Sequence, residues 1–115
     1  MTRLAVDEER RGDAAVVRLR GACRVGSSSD ALKEALERIS AEDSGNVVLD
    51  LAELTMLDST ALGIVAGTGR TLHGAGRELY LVAPNERVAL LFKLTALDTV
   101  FPVVPTVESA LGATS

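Results

Sequence analysis

The order of apolar and polar residues along the chain predicts short strands that alternate with amphipathic helices. Residues 14–20 alternate between apolar and charged side chains, which is typical of a half-buried strand. The apolar runs at 46–50 and 78–83 lack this alternation and are typical of strands buried on both faces. We predict strands at 2–6, 14–20, 46–50, 78–83 and 100–104, and helices at 31–41, 59–72, 86–94 and 107–111.

These elements together predict an α/β fold in a single domain, residues 1–115. We expect the first two strands to form a hairpin, with the polar segment 8–13 as its turn. Helices separate the later strands, and repeated strand–helix–strand units imply parallel strands joined by right-handed crossovers. The sheet is therefore expected to be small, mixed and mostly parallel.

Composition narrows the compartment and the partners. The chain has a net charge of −4 and no block of basic residues, so we expect no direct contact with nucleic acid. Its single cysteine, Cys23, rules out an internal disulfide and fits a reducing cytoplasm. We expect neither a signal peptide nor a membrane span, because no apolar run approaches the ~20 residues that a span needs.

A serine lies at the start of the helix that follows the predicted strand 46–50. The sequence Asp58-Ser59-Thr60 precedes a run of small apolar residues, which is a helix-start signal. We expect Ser59 to be the N-cap, with Asp58 as the alternative. Amide groups in the first turn of a helix lack intrahelical partners, and the helix dipole favours negative charge there. A phosphate on Ser59 would therefore find hydrogen-bond donors, and the unmodified hydroxyl would cap the same amides.

Two glycines follow Ser59 on one face of the predicted helix. Ser59, Gly63 and Gly67 are spaced at i, i+4 and i+8, and each interior glycine costs roughly 1 kcal/mol relative to alanine. A partner protein docking along this track would explain the glycines, as would close packing against a neighbouring helix.

In the predicted helix 86–94, Leu90 and Leu94 lie partly off the apolar stripe and either widen it or form a contact patch.

The residues expected of an enzyme or a metal site do not come together in this sequence. Ser59 lacks the glycines of a G-x-S-x-G nucleophile elbow, because Leu57 and Ala61 occupy those positions. The only histidine, His73, is about four helical turns beyond Ser59 and is too distant to act as its base. We therefore expect no catalysis, no metal and no cofactor.

A response-regulator receiver, with Asp50 as phosphoacceptor, also suits the length and the element order. A receiver needs an acidic pair after its first parallel strand to hold Mg²⁺, and a lysine after its last strand. The sequence has residues 21–24, GACR, at the first place and no lysine after Phe101. These differences disfavour a receiver.

The segment VVLDLAELTMLDSTALG, residues 47–63, resembles the core motif of STAS domains, the family of bacterial anti-sigma factor antagonists. The resemblance continues from Gly76 to Leu111 and so covers most of the chain. It implies a mixed sheet with helices packed mainly on one side. It also implies that a partner kinase phosphorylates the serine directly after the aspartate, which here is Ser59.

The resemblance further implies partners and roles. The unmodified protein would bind an anti-sigma factor that has serine kinase activity and would thereby release a sigma factor. That kinase would phosphorylate Ser59 and break the complex, and a phosphatase would reset it. Asp58 would position the hydroxyl, and Thr60, Leu62, Gly63 and Gly67 would form the docking face. A weak homodimer is an open alternative for the oligomeric state.

One segment departs from the family pattern. Most phosphorylatable members carry an apolar residue and an aspartate where this chain has Cys23 and Arg24. Arg24 could pair with Asp58 or with a phosphate on Ser59 and so stabilise one state. Alternatively, the kinase no longer recognises this surface, which leaves a constitutive STAS scaffold in a stress-sensing or transport assembly.

Overall fold

The structure, a computed structural model, describes residues 4–23, 26–42, 45–82 and 84–113. Its elements follow the predicted order, with a short 3-10 helix at Leu97–Thr99 before the last strand. The strands are β1 (Ala5–Arg11), β2 (Ala14–Cys23), β3 (Val47–Leu57), β4 (Leu79–Val82) and β5 (Val103–Val104). The α-helices are α1 (Ser27–Ser40), α2 (Ser59–Gly74), α3 (Glu86–Leu94) and α4 (Val107–Ala113).

The five strands form one sheet in the order β1-β2-β3-β4-β5. β1 pairs antiparallel with β2, and all other neighbours are parallel, which confirms the predicted mixed sheet. Each crossover leads to the next strand in the same direction, so right-handed crossovers place α1, α2 and α3 on the same face. Leucines of α1 and α2 and Phe92 of α3 accordingly share one buried core with that face of the sheet.

The opposite face is divided between a small apolar cluster and ion pairs. α4 buries Val107 and Ala110 against Val48 and Tyr80 of the sheet. Nearer β1, two arginines of β2 each contact two carboxylates of the flanking strands: Arg18 contacts Glu9 and Asp50, and Arg20 contacts Asp7 and Glu53. The helices are therefore mainly, but not wholly, on one side.

The central strand is longer than predicted. Residues 51–57, which we interpreted as a connector, continue β3 because they pair with β2 through two register shifts. At each shift β3 holds one extra residue, and such bulges re-aim the side chains that follow. Leu51, Leu54 and Leu57 are thus all buried although they are three residues apart. Their spacing hides the alternation by which a strand is recognised.

Other boundaries also moved. Residues 8–11 lie in β1 rather than in the hairpin turn, which is confined to Gly12 and Asp13. Helix α1 begins at Ser27, four residues earlier than predicted. The hydroxyl of Ser29 accepts a hydrogen bond from the Gly26 amide at 3.1 Å and donates to the Gly26 carbonyl at 3.0 Å. These hydrogen bonds fix a first helical turn that lies before residue 31, where the predicted helix began.

A buried arginine closes the end of α1. Arg77 is only 8% exposed. Its guanidinium donates to the carbonyl oxygens of Gly45 at 2.6 Å, Glu42 at 2.8 Å and Ser40 at 3.1 Å. The last carbonyl groups of a helix lack intrahelical partners, and a cation there also suits the helix dipole. Arg77 therefore anchors the α1–β3 connection to the start of β4.

Candidate functional site

Asp58, and not Ser59, caps helix α2. Asp58 has an extended backbone, and its Oδ1 accepts a hydrogen bond from the Ala61 amide at 2.9 Å. The Asp58 carbonyl accepts from the Leu62 amide at 2.9 Å, which is the first bond of the helix. Our first choice of N-cap was therefore wrong and the alternative was right, since a carboxylate one residue earlier reaches the third amide of the helix.

Ser59 is consequently the first residue of α2, and it is exposed. Its hydroxyl makes no hydrogen bond with any residue in the described part of the chain. Within that part, the amides of Ser59 and Thr60 also lack a protein acceptor, as is usual for the first turn of a helix. A phosphate on Ser59 could be added without dismantling the cap, and it would find these two amides nearby.

The site lies where the parallel strands end. The Asp58 amide donates to the Cys23 carbonyl at 3.1 Å, which joins the end of β3 to the end of β2. Asn85 caps α3 with its Oδ1, and its Nδ2 donates to the Leu54 carbonyl at 2.9 Å. The N-termini of α2 and α3 are therefore held at the same edge of the sheet. The sequence predicted the helix at 86–94 but gave no sign of the hydrogen bond between Asn85 and β3.

Cys23 lies beneath this edge. Burial, together with a smaller contribution from the negative charge of Asp58, raises the pKa of its thiol to about 11. Arg24, the next residue, lies outside the described residues. Its predicted pairing with Asp58 or with a phosphate on Ser59 therefore stays a prediction.

A groove runs along α2 away from Ser59. It lies between α1 and α2 and has a volume of about 690 Å³. Gly63 and Gly67 form part of its floor, with Thr60 at the end nearest Ser59. The α1 wall of the groove includes Lys33 and Glu37. The predicted glycine track thus follows one side of an open groove.

The glycines of α2 differ in how closely the rest of the chain packs against them. A Cβ atom added at Gly63 or Gly67 would meet nothing within 4 Å, so packing within this chain does not require glycine at either position. A Cβ atom at Gly69 would overlap the ring of Phe101. Close packing therefore explains Gly69 only, and the partner-docking interpretation stays open for Gly63 and Gly67.

The remaining predicted site residues separate by exposure. Thr60 is exposed at the head of the groove, whereas Leu62 is 6% exposed and packs in the main core. Leu62 therefore lies beneath the surface and could support the predicted docking face only from there. His73 is exposed near the end of α2, with its Nδ1 3.4 Å from Glu78, far along the helix from Ser59.

Metal-ligand clusters and membrane-spanning helices are both absent from the described residues. No three histidine, cysteine or carboxylate side chains in that set gather as metal ligands. Across the same ranges, none of the helices has the length and apolar character to cross a membrane.

Comparison with known proteins identifies the family. The family model described as STAS domain matches residues 5–110. An anti-sigma-B factor antagonist from Staphylococcus epidermidis is 33% identical over 72 residues, which cover 63% of this chain and 67% of that protein. Such antagonists are regulatory binding proteins and not enzymes.

Solved structures give the same result for the fold. An anti-sigma factor antagonist from Mycobacterium paratuberculosis superposes with a TM-score of 0.87 at 28% identity, over 96% of this chain and 92% of that one. The anti-sigma factor antagonist SpoIIAA in its unphosphorylated form gives 0.78 at 22% identity, over 96% of each chain. SpoIIAA from Bacillus in the phosphorylated form gives 0.77 at 19% identity, over 96% of this chain and 100% of that one. The chain is a member of the STAS domain family.

Proposed function

We propose that this protein is an anti-sigma factor antagonist that acts in the cytoplasm and is switched by phosphorylation of Ser59. The unmodified protein binds an anti-sigma factor that has serine kinase activity, and this binding releases a sigma factor. The kinase transfers phosphate to Ser59 with its own ATP and Mg²⁺, and a phosphatase restores the hydroxyl. The relatives named as antagonists support the first part of this proposal.

The exposed hydroxyl of Ser59 is the observation that carries the switch. Ser59 is the first residue of α2, and the helix is capped by the side chain of Asp58 and not by this hydroxyl. A kinase can therefore reach Ser59 without unfolding the helix. The two forms of SpoIIAA share the fold of this chain, which supports a fold that accommodates both states.

The docking face that we propose starts at Asp58 and Ser59 and follows Thr60, Gly63 and Gly67 along α2. Gly63 is exposed and Gly67 is half-buried, so a partner backbone could approach them closely. Phosphorylation adds a charge of roughly −2 at the head of this face. Because Asp58 already places a carboxylate there, the added charge opposes a closely packed contact by repulsion and by the cost of desolvation.

Binding titrations with the serine-kinase anti-sigma factors of the host, each purified separately, test the proposal. We expect wild type and Ser59→Ala to bind one of them and Ser59→Asp to lose at least about tenfold in affinity, which corresponds to about 1.4 kcal/mol. Thr106→Asp is a matched control. It adds the same charge at the N-cap of α4 on the opposite face, where Thr106 accepts from the Ser109 amide at 3.0 Å and aspartate caps equally well.

Equal binding by Ser59→Ala and Ser59→Asp would contradict the switch and favour a constitutive scaffold. Peptide mass spectrometry on protein from the host, in growing and in stressed cells, gives a second test. Phosphate on Ser59 that changes with growth condition is the expected result. If no phosphate is found, an Arg24→Asp variant that gains phosphorylation would identify Arg24 as the cause.

A further inference from the structure

We infer that the surface formed by α3 and β5 is an interface between two copies of this chain. This surface carries exposed apolar side chains. Within the described ranges, the large hydrophobic side chains that are exposed all lie in the segment 90–103: Leu90 (53%), Leu94 (74%), Val100 (59%) and Val103 (42%). Exposed apolar side chains that cluster in this way mark interaction surfaces more often than scattered ones do.

This surface combines an apolar groove with an exposed leucine close to it. A groove of about 360 Å³ has Leu90, Phe92 and Val103 among its lining residues. Leu94 is one helical turn beyond Leu90, does not line the groove and is the most exposed of the four apolar side chains. In a two-fold contact the same patch serves both partners, so Leu94 of each copy can enter the groove of the other.

The charges at the rim of the groove favour a second copy as the occupant. Glu86, Lys93 and Asp98 line this groove. None of the three forms an ion pair with another residue in the described ranges, in contrast to Arg18 and Arg20 of the sheet. In a two-fold contact each copy presents the same patch, so a patch with both signs beside an apolar centre offers an opposite charge for each of its own charges to pair with. We assign Lys93 of one copy to Asp98 of the other.

The edge strand restricts how the two copies meet. β5 consists of Val103–Val104 and is flanked by Pro102 and Pro105. Proline has no amide hydrogen to donate, which discourages the addition of a further strand at this edge. The contact is therefore one of side chains, with α3 and Val103 facing their equivalents. An interface of this limited extent is expected to be weak.

Sedimentation velocity on the purified chain, from about 10 µM to about 1 mM, tests this inference in the range where weak interfaces associate. We expect wild type to form a concentration-dependent dimer. Leu94→Glu should associate at least about tenfold more weakly than wild type. Ser109→Glu adds the same charge at an exposed position of α4 and should associate as wild type does. Circular dichroism of each variant checks that it is folded.

Charge reversal gives the decisive comparison. Lys93→Glu and Asp98→Lys should each weaken the dimer, and the double variant should regain most of the loss because the pair is restored in opposite order. Ser59→Asp should associate as wild type does, because Ser59 lies outside this surface. A chain that stays monomeric throughout overturns the inference, as does a double variant that associates no better than the single ones. If wild type is monomeric as well and Leu94→Glu loses anti-sigma factor binding, the patch belongs to that partner instead.

Discussion

The Asp58 carboxylate accepts a hydrogen bond from the Ala61 amide at 2.9 Å, directly across the exposed Ser59. Asp58 thus performs the capping, and its neighbour Ser59 is the proposed phosphate acceptor. The Ser59 hydroxyl, at the first residue of α2, is therefore not used to cap the helix. This division has a direct consequence for stability.

Asp58→Ala should lower the free energy of unfolding by about 1 kcal/mol, because it removes the N-cap of α2. Ser59→Ala should change that free energy by less than about 0.5 kcal/mol, because no hydrogen bond of the described residues is lost. Asp58→Asn, which retains a capping oxygen, is the control. Urea denaturation measures all three, and a larger loss for Ser59→Ala than for Asp58→Ala would contradict the assignment of the cap.

The buried thiol of Cys23 predicts a pH dependence of stability. Burial and the Asp58 charge raise its pKa from the ordinary 9.0 to about 11. Below pH 9 both the folded and the unfolded chain keep the thiol proton. As the pH rises from 9 to 11 only the unfolded chain loses that proton, so the free energy of unfolding should fall by about 2–3 kcal/mol.

Other groups titrate in the same range, so Cys23→Ala is the reference for this measurement. Denaturant unfolding at intervals between pH 8 and 11 should give a steeper decrease in wild type than in Cys23→Ala. The variant leaves a small cavity, and for that reason the slopes with pH are compared rather than the absolute stabilities. Parallel slopes would show that the thiol does not resist ionisation in the folded protein.

Arg77 should be among the most sensitive polar positions. Arg77→Ala leaves the carbonyl oxygens of Ser40, Glu42 and Gly45 without their buried donor, and we expect a loss of about 3 kcal/mol or more. Arg77→Lys should recover only part of this, since one ammonium cannot reproduce the planar fork of the guanidinium. Arg70→Ala, at an exposed arginine of α2, should cost less than about 0.5 kcal/mol. Thermal or urea unfolding that finds Arg77→Ala as mild as Arg70→Ala would contradict the buried anchor.

Alanine at the glycines of α2 separates stability from binding. Gly63→Ala and Gly67→Ala should each stabilise the fold by up to about 1 kcal/mol, since the space is open and alanine favours the helix. If these glycines let a partner approach, the same variants should bind the anti-sigma factor less well than wild type. A variant that is more stable and binds equally well would remove that glycine from the docking face.

Gly69→Ala provides the contrast within the same helix. Its methyl group would overlap the Phe101 ring, so we expect a loss of about 1–3 kcal/mol from overpacking. Phe101 is 3% exposed and has little room to move aside. Differential scanning calorimetry should therefore order the three variants with Gly69→Ala well below the other two. A stabilised Gly69→Ala would mean that the ring is free to shift.

Local pattern was enough to predict much of this molecule. The alternation in β2, the apolar runs of β3 and β4 and the amphipathic stripe of α1 depend on neighbouring residues, and they placed these elements in their correct order. The exposed serine at the start of α2 was found in the same way, because helix-start signals lie within a few residues of each other. The core motif of the STAS resemblance, residues 47–63, includes the same helix start.

The tertiary structure decided what distant residues do to one another. The two bulges of β3 exist only through pairing with β2, so the sequence of residues 51–57 resembled a connector. The open groove beside Gly63 exists because α1 and α2 lie side by side, and the restriction at Gly69 exists because Phe101 packs there. The bulges, the groove and the restriction at Gly69 all arise from contacts between segments that are far apart along the chain. The geometry of these contacts depends on the whole sheet and its packed helices, and not on local pattern.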